Sequence, residues 1–83
     1  MNENRVTPDL IQSMIKDVRY LNDGTTTICI VELHSGWKEI GTSDCVDPAN
    51  FDAEIGKRLA LARATDALYK LAGFSMKERL SKN

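Results

Sequence analysis

The order of local signals predicts an α+β fold: a short N-terminal helix, a three-stranded antiparallel meander, a long helix packed on the sheet and a short C-terminal helix. Three observations carry it. The stretch from Cys45 to Phe74 holds the longest helical pattern in the chain. Thr25 to Leu33 is the most β-prone stretch, rich in β-branched residues. Two turn signals, Asn22-Asp23-Gly24 and Ser35-Gly36, flank it at hairpin spacing. Strands grouped between helices give two layers, with the helices segregated on the sheet.

Thr7-Pro8-Asp9 is a helix start: a Thr cap, Pro at the first position and an acid in the first turn. Leu10, Ile11, Met14 and Ile15 follow at helical spacing. Two turns do not hold alone in water, so this helix must dock on a core. Val18 to Leu21 alternates as a first strand. Along the second, Thr27, Cys29, Val31 and Leu33 share one face, and Ile28, Ile30, Glu32 and His34 the other. Apolar residues on both faces read as a central strand, covered by helices on one side and on the other by a partner chain or by nothing. Trp37 to Ser43 forms the third strand, and Asp44 to Asn50 leads into the long helix.

Asp47 or Asn50 serves as the expected cap of that helix, with Pro48 in its first turn. Asp52 and Glu54 lie near the positive end of its dipole and Lys70 near the negative end, with Gly73 as the stop. Two apolar stripes run along it: Phe51, Ile55, Leu59, Ala62 and Tyr69, then Ala53, Ala60, Ala64, Ala67, Leu68 and Leu71. Gly56 costs about 1 kcal/mol in a helix interior, which points to a close backbone approach. Ser75 to Glu78 is a capping box, starting a short terminal helix through Leu80. A sheet covers one stripe. The surplus predicts a homo-oligomer, most simply a dimer, with Gly56, Ala60 and Ala64 or a strand edge as meeting points.

A chain of 83 residues makes one domain, spanning 1–83, with loose ends expected at 1–6 and 81–83. Eleven basic residues against twelve acidic ones leave no global field toward nucleic acid or membrane. No apolar run reaches the length of about 18 residues that a membrane span needs, and no signal peptide is recognisable. The cytoplasm is therefore the expected location. There Cys29 and Cys45 are expected to stay reduced. Two cysteines and one histidine, His34, fall short of the four ligands of a zinc site, so neither metal nor cofactor is expected. His34 at a hairpin end leaves Ser and Cys without a base, and neither a P-loop nor a dinucleotide fingerprint is present. Asp44, Asp47, Asp52 and Glu54 read as turn and cap residues. The chain is expected not to be an enzyme.

Binding is what remains. Trp37 after a hairpin turn reads first as core and otherwise as an exposed anchor. The order α-β-β-β-α invites comparison with the double-stranded-RNA-binding domain, whose last helix starts with phosphate-gripping lysines. Here Asp52 and Glu54 stand at that start and repel phosphate, and only Lys57 and Arg58 follow one turn in.

The run Cys45-Val46-Asp47-Pro48-Ala49-Asn50-Phe51-Asp52, followed by Glu54-Ile55-Gly56-Lys57, resembles the hallmark of the bacteriophage gene-product 49/66 family of small accessory proteins of tailed phages and prophages. Thr27-Ile28-Cys29, the Gly36 turn and the ending Tyr69 to Phe74 match it too, so the resemblance covers roughly residues 16–74. The chain departs from the pattern at Tyr69, where Trp is common, and at Ala72, where Glu is. The resemblance implies a phage origin and expression in the bacterial cytosol, and no particular activity. Two readings stand. The first is a non-enzymatic interaction protein that binds a host protein or a small signalling nucleotide, for example to inhibit an antiphage defence. The second is a nucleic-acid-binding module. Trp37, Asp47, Asn50, Lys57 and Arg58 are the candidate binding residues.

Overall fold

In the computed structural model, residues 5–82 are described. They form helix α1 (Pro8–Met14), strands β1 (Ile15–Asp23), β2 (Thr26–Leu33) and β3 (Lys38–Asp44), a 3-10 turn (Pro48–Asn50) and helix α2 (Ala53–Ser81). The architecture is α+β, with one antiparallel sheet in the order β1-β2-β3.

Helix α1 begins as its sequence requires. The Thr7 hydroxyl accepts the Leu10 N–H at 3.2 Å, with Pro8 and Asp9 in the first turn. Its end was not signalled by any glycine: Ile15 turns to extended backbone and the chain enters β1 directly. The His34 N–H, from the turn between β2 and β3, donates to the Met14 carbonyl at 3.0 Å and so fills one of the open acceptors of the helix end. β1 is accordingly longer than the expected Val18–Leu21, and a register shift between Ile15 and Asp17 marks where it leaves the helix. Gly24 (φ 60°) and Gly36 (φ 95°) take the left-handed backbone that the two turns need.

Pairing fixes the faces. Thr27, Cys29, Val31 and Leu33 are buried under the helices, and Ser43 and Gly41 join them from β3. With Ile11, Ala60, Ala64 and Leu68 these side chains make the core. The alanine stripe of α2 is thus the covered one. Its small residues let the helix come down on the sheet: a Cβ on Gly41 would clash with the Ala60 carbonyl oxygen, and one on Gly56 would sit 2.5 Å from the Thr27 hydroxyl. Gly56, Ala60 and Ala64 are therefore used up within the chain and are not where two copies meet.

Two expectations for the long helix are corrected. Asp47 caps the 3-10 turn through the Ala49 N–H, and α2 itself starts beyond Asn50, with Asp52 accepting from the Glu54 and Ile55 N–H groups. Nor does the helix stop at Gly73. That glycine keeps a helical backbone, and a single α2 of 29 residues continues through Ser75 to Ser81, so the described residues contain no separate C-terminal helix. Strong helix formers, Lys70 to Ala72 before Gly73 and Met76 to Leu80 a turn after it, together outweigh its penalty of about 1 kcal/mol. Of the expected loose ends, residues 1–4 and 83 lie outside the described residues. Val6 packs half-buried against the core, and Ser81 closes the helix with its hydroxyl on the Glu78 carbonyl.

At a rise of about 1.5 Å per residue, α2 is much longer than strands of seven to nine residues. It starts beyond the end of β3, crosses Gly41 at Ala60 and Ala64, and overhangs the sheet past Trp37. The molecule is elongated, 54 Å along its longest axis.

Candidate functional site

Where α2 leaves the sheet, α1 and the β2–β3 turn lie beside it and leave a groove. Leu10 and Met14 come from α1, Leu33 from the end of β2, Trp37 from the turn, and Leu71 and Met76 from α2. Its volume is about 450 Å³, with Ser35, Ala72, Ser75 and Arg79 completing the wall. The bond from His34 to Met14 ties α1 to the turn. Trp37 is not core. The residue is 54% exposed and its indole N–H donates to the Glu39 carboxylate at 2.9 Å. Two methionines and an aromatic give a soft, adaptable lining of the kind that accepts a partner's side chains. Residues 70–82, the end of α2 and its cap, are basic: Lys70, Lys77, Arg79 and Lys82 against the one acid Glu78. The opposite end of the molecule carries Asp23, Asp44, Asp47, Asp52 and Glu54.

The other candidate binding residues do not gather with Trp37. Asp47 and Asn50 lie past the far end of β3, about 20 Å away by strand rise. There they serve each other: Asn50 donates its amide to the Asp47 carboxylate at 3.1 Å. Lys57 and Arg58 lie on the flank of α2 near β1. The Lys57 ammonium stands 5.6 Å from the Tyr20 ring centroid and 3.9 Å from Glu54, while Arg58 is exposed. Sequence reasoning missed Leu10, Met14, Leu71 and Met76 as site residues. Reading Gly73 as mid-helix would have put Leu71, Ala72, Ser75, Met76 and Arg79 on one wall.

A second surface is the sheet face turned away from the helices. Pairing places Leu21, Ile28, Ile30 and Ile40 at its centre. Arg19 bonds Asp17 at 2.6 Å and Glu32 at 3.1 Å along its edge. The hydrogen bond from Arg19 holds the Glu32 carboxyl below the usual range. Under the helices, burial pushes the Cys29 thiol and the Tyr20 phenol up. Cys29 and Cys45 are both free.

One family model matches residues 6–80, that of the "Phage protein (N4 Gp49/phage Sf6 gene 66) family". The chain belongs to this phage protein family. Neither a curated protein nor a solved structure matches it. The residues that carry the family resemblance in this phage protein have local structural work: Asp47 and Asp52 cap, Asn50 braces Asp47, and Gly56 lets α2 down onto Thr27. Among the described residues, no helix is long and apolar enough to cross a membrane.

Proposed function

We propose that this phage protein works by binding alone, and that the groove at Trp37 takes an apolar segment of a host protein with acidic side chains on its flank. The observation behind this is the groove: six large apolar side chains, an exposed tryptophan among them, next to a basic helix end. A short helix or extended segment is the size of ligand that such a cleft between two helices accommodates. In an infected bacterium, a binding protein of this size fits the role of blunting an antiphage defence by occupying one of its components. A small signalling nucleotide is served less well, because the lining of the groove is mostly apolar.

The double-stranded-RNA reading keeps one observation in its favour, the order of elements with both helices on one face. Against it, the first-turn N–H groups of α2 that a phosphate would use are already bonded to the Asp52 carboxylate. Retention of bacterial proteins on the immobilised chain separates the readings. A specific host protein held by the wild type, lost with Trp37→Ala and kept with Lys57→Ala/Arg58→Ala, supports the groove. Nucleic acid released by salt, lost with the double variant and indifferent to Trp37→Ala, refutes it. The role in defence is then read by phage plating on hosts expressing either form.

A further inference from the structure

The exposed ring of Trp37 is fixed at three points. Its backbone is held at both polar groups: the Leu33 N–H donates to its carbonyl at 2.8 Å, and its own N–H donates to the Ser35 hydroxyl at 3.4 Å. With the backbone set, only χ1 and χ2 remain free. The bond from the indole N–H to the Glu39 carboxylate at 2.9 Å, assisted by the charge, fixes those too. Glu39 stands opposite Val31 in the register, so it points to the helix side of the sheet, the side of Gly41 and Ser43. A carboxylate is an unusual choice there. It is half-buried, and among the described residues no Lys or Arg pairs with it. Withdrawing such a charge from water without a cation costs free energy. Its hydrogen bond goes to Trp37, and it is not itself a wall of the groove.

We propose that Glu39 is the positioning residue of the groove: it holds the Trp37 ring open and leaves only its hydrocarbon surface for a ligand. This deepens the reading of the groove as a binding site and rests on it. Indole has a single polar atom, which is a donor only. Because Glu39 takes that donor, a ligand meets carbon alone at Trp37. The group laid against the ring is therefore a Leu-, Met- or Phe-like side chain, and not a carbonyl or hydroxyl in search of a donor. The charge of Glu39 behind the ring also repels acids from this end and leaves them the basic end of α2. Released from Glu39, the ring would turn toward Leu71 and Met76 and close the cleft, since that removes apolar surface from water.

The chain has one tryptophan, which makes the test direct. In the proton–nitrogen correlation spectrum of the free full chain, Glu39→Ala should move the indole cross-peak toward the position of a solvated indole. It should also lower the fluorescence anisotropy of Trp37, with the far-ultraviolet circular dichroism unchanged. Glu39→Gln, whose amide oxygen accepts the same bond, should restore both. Anilinonaphthalene sulfonate, apolar rings with one negative charge, then serves as the groove probe and should shift the cross-peak of the wild type. Its dissociation constant should rise about three- to tenfold with Glu39→Ala, as loosening one side chain predicts, and stay within about twofold with Glu39→Gln. A cross-peak and anisotropy indifferent to Glu39→Ala, no rescue by Glu39→Gln, or equal affinity of the alanine variant overturns the role of Glu39. A wild-type cross-peak that the probe leaves in place overturns the groove reading and what Glu39 does for a ligand, while the free-chain spectra still decide whether Glu39 holds the ring.

Discussion

Single residues hold the turns and helix starts of this small chain. Asp47, Asp52 and Thr7 each place a side-chain oxygen on unpaired N–H groups, and Asp44 ties the start of β2 to the end of β3 through Thr26 at 3.0 Å. The Arg19 and Glu32 pair on the outer sheet face has a pH signature. Glu32 titrates below its ordinary value in the folded chain because Arg19 bonds its charged form. Its contribution is therefore present at neutral pH and is lost as pH falls through the carboxylate range. The pair is solvated, so the effect is modest and screened by salt. Thermal unfolding of the wild type and Glu32→Gln should differ at pH 7, and the difference should close by about pH 2, where both side chains are uncharged. A gap that stays constant across that range would mean that Glu32 acts through packing instead.

At the scale of elements, α2 sets the geometry, and the glycines on it and beneath it make opposite predictions. Gly41 lies beneath the helix, where an added methyl meets the backbone of Ala60 and Ala64. Gly41→Ala should cost at least about 1–3 kcal/mol, as overpacking does when backbone must move. Gly56→Ala adds helix propensity but presses on the Thr27 hydroxyl, which also accepts the Asn22 amide at 3.1 Å. Gly73 has a helical backbone, and a methyl group added there would meet nothing within 4 Å. Gly73→Ala should therefore stabilise by about 0.5–1 kcal/mol, as expected for an open helix-interior site. Urea unfolding of the Gly41 and Gly73 variants decides it; a destabilised Gly73→Ala would mean that the helix breaks there after all. The edge strand β3 is also guarded by α2: the Arg63 guanidinium donates to the Thr42 carbonyl at 2.6 Å, which removes one acceptor from a strand edge that could otherwise pair with another chain.

Among the described residues, the molecule rests on a small core of seven apolar side chains, three of them from α2. Leu68 is fully buried among them. Leu68→Ala should cost about 2–5 kcal/mol, a large share of the roughly 5–15 kcal/mol typical of a folded domain. Calorimetry should show a drop in Tm of many degrees, and retention of the wild-type Tm would show that Leu68 is not a core residue. Charge is also arranged on this scale. The overhang of α2 is basic and the opposite end acidic, so a net charge of −1 hides two ends of opposite sign.

Much of this was legible from local signals, because their physics is local. The Thr7 cap, the two glycine turns, the alternation of β2 and the family run at 45–57 each depend on residues a few positions apart. Register then follows from the turns, so the alternation of β2 sorted its side chains into two faces, and packing of the helices decided which of the two is buried. What the sequence could not determine depends on contacts between distant segments. Asp47, Asn50 and Asp52 are all competent caps, and only the path of the chain over the sheet selected Asp52 for α2. Gly73 carries a stop signal that the helix overrides. Whether Trp37 is buried depends on how far α2 runs past the sheet, and the groove exists only because Leu10, Leu33, Leu71 and Met76, remote in sequence, converge there. Tertiary packing alone decides that convergence, since no single segment contains the information about which of its apolar residues will find a neighbour.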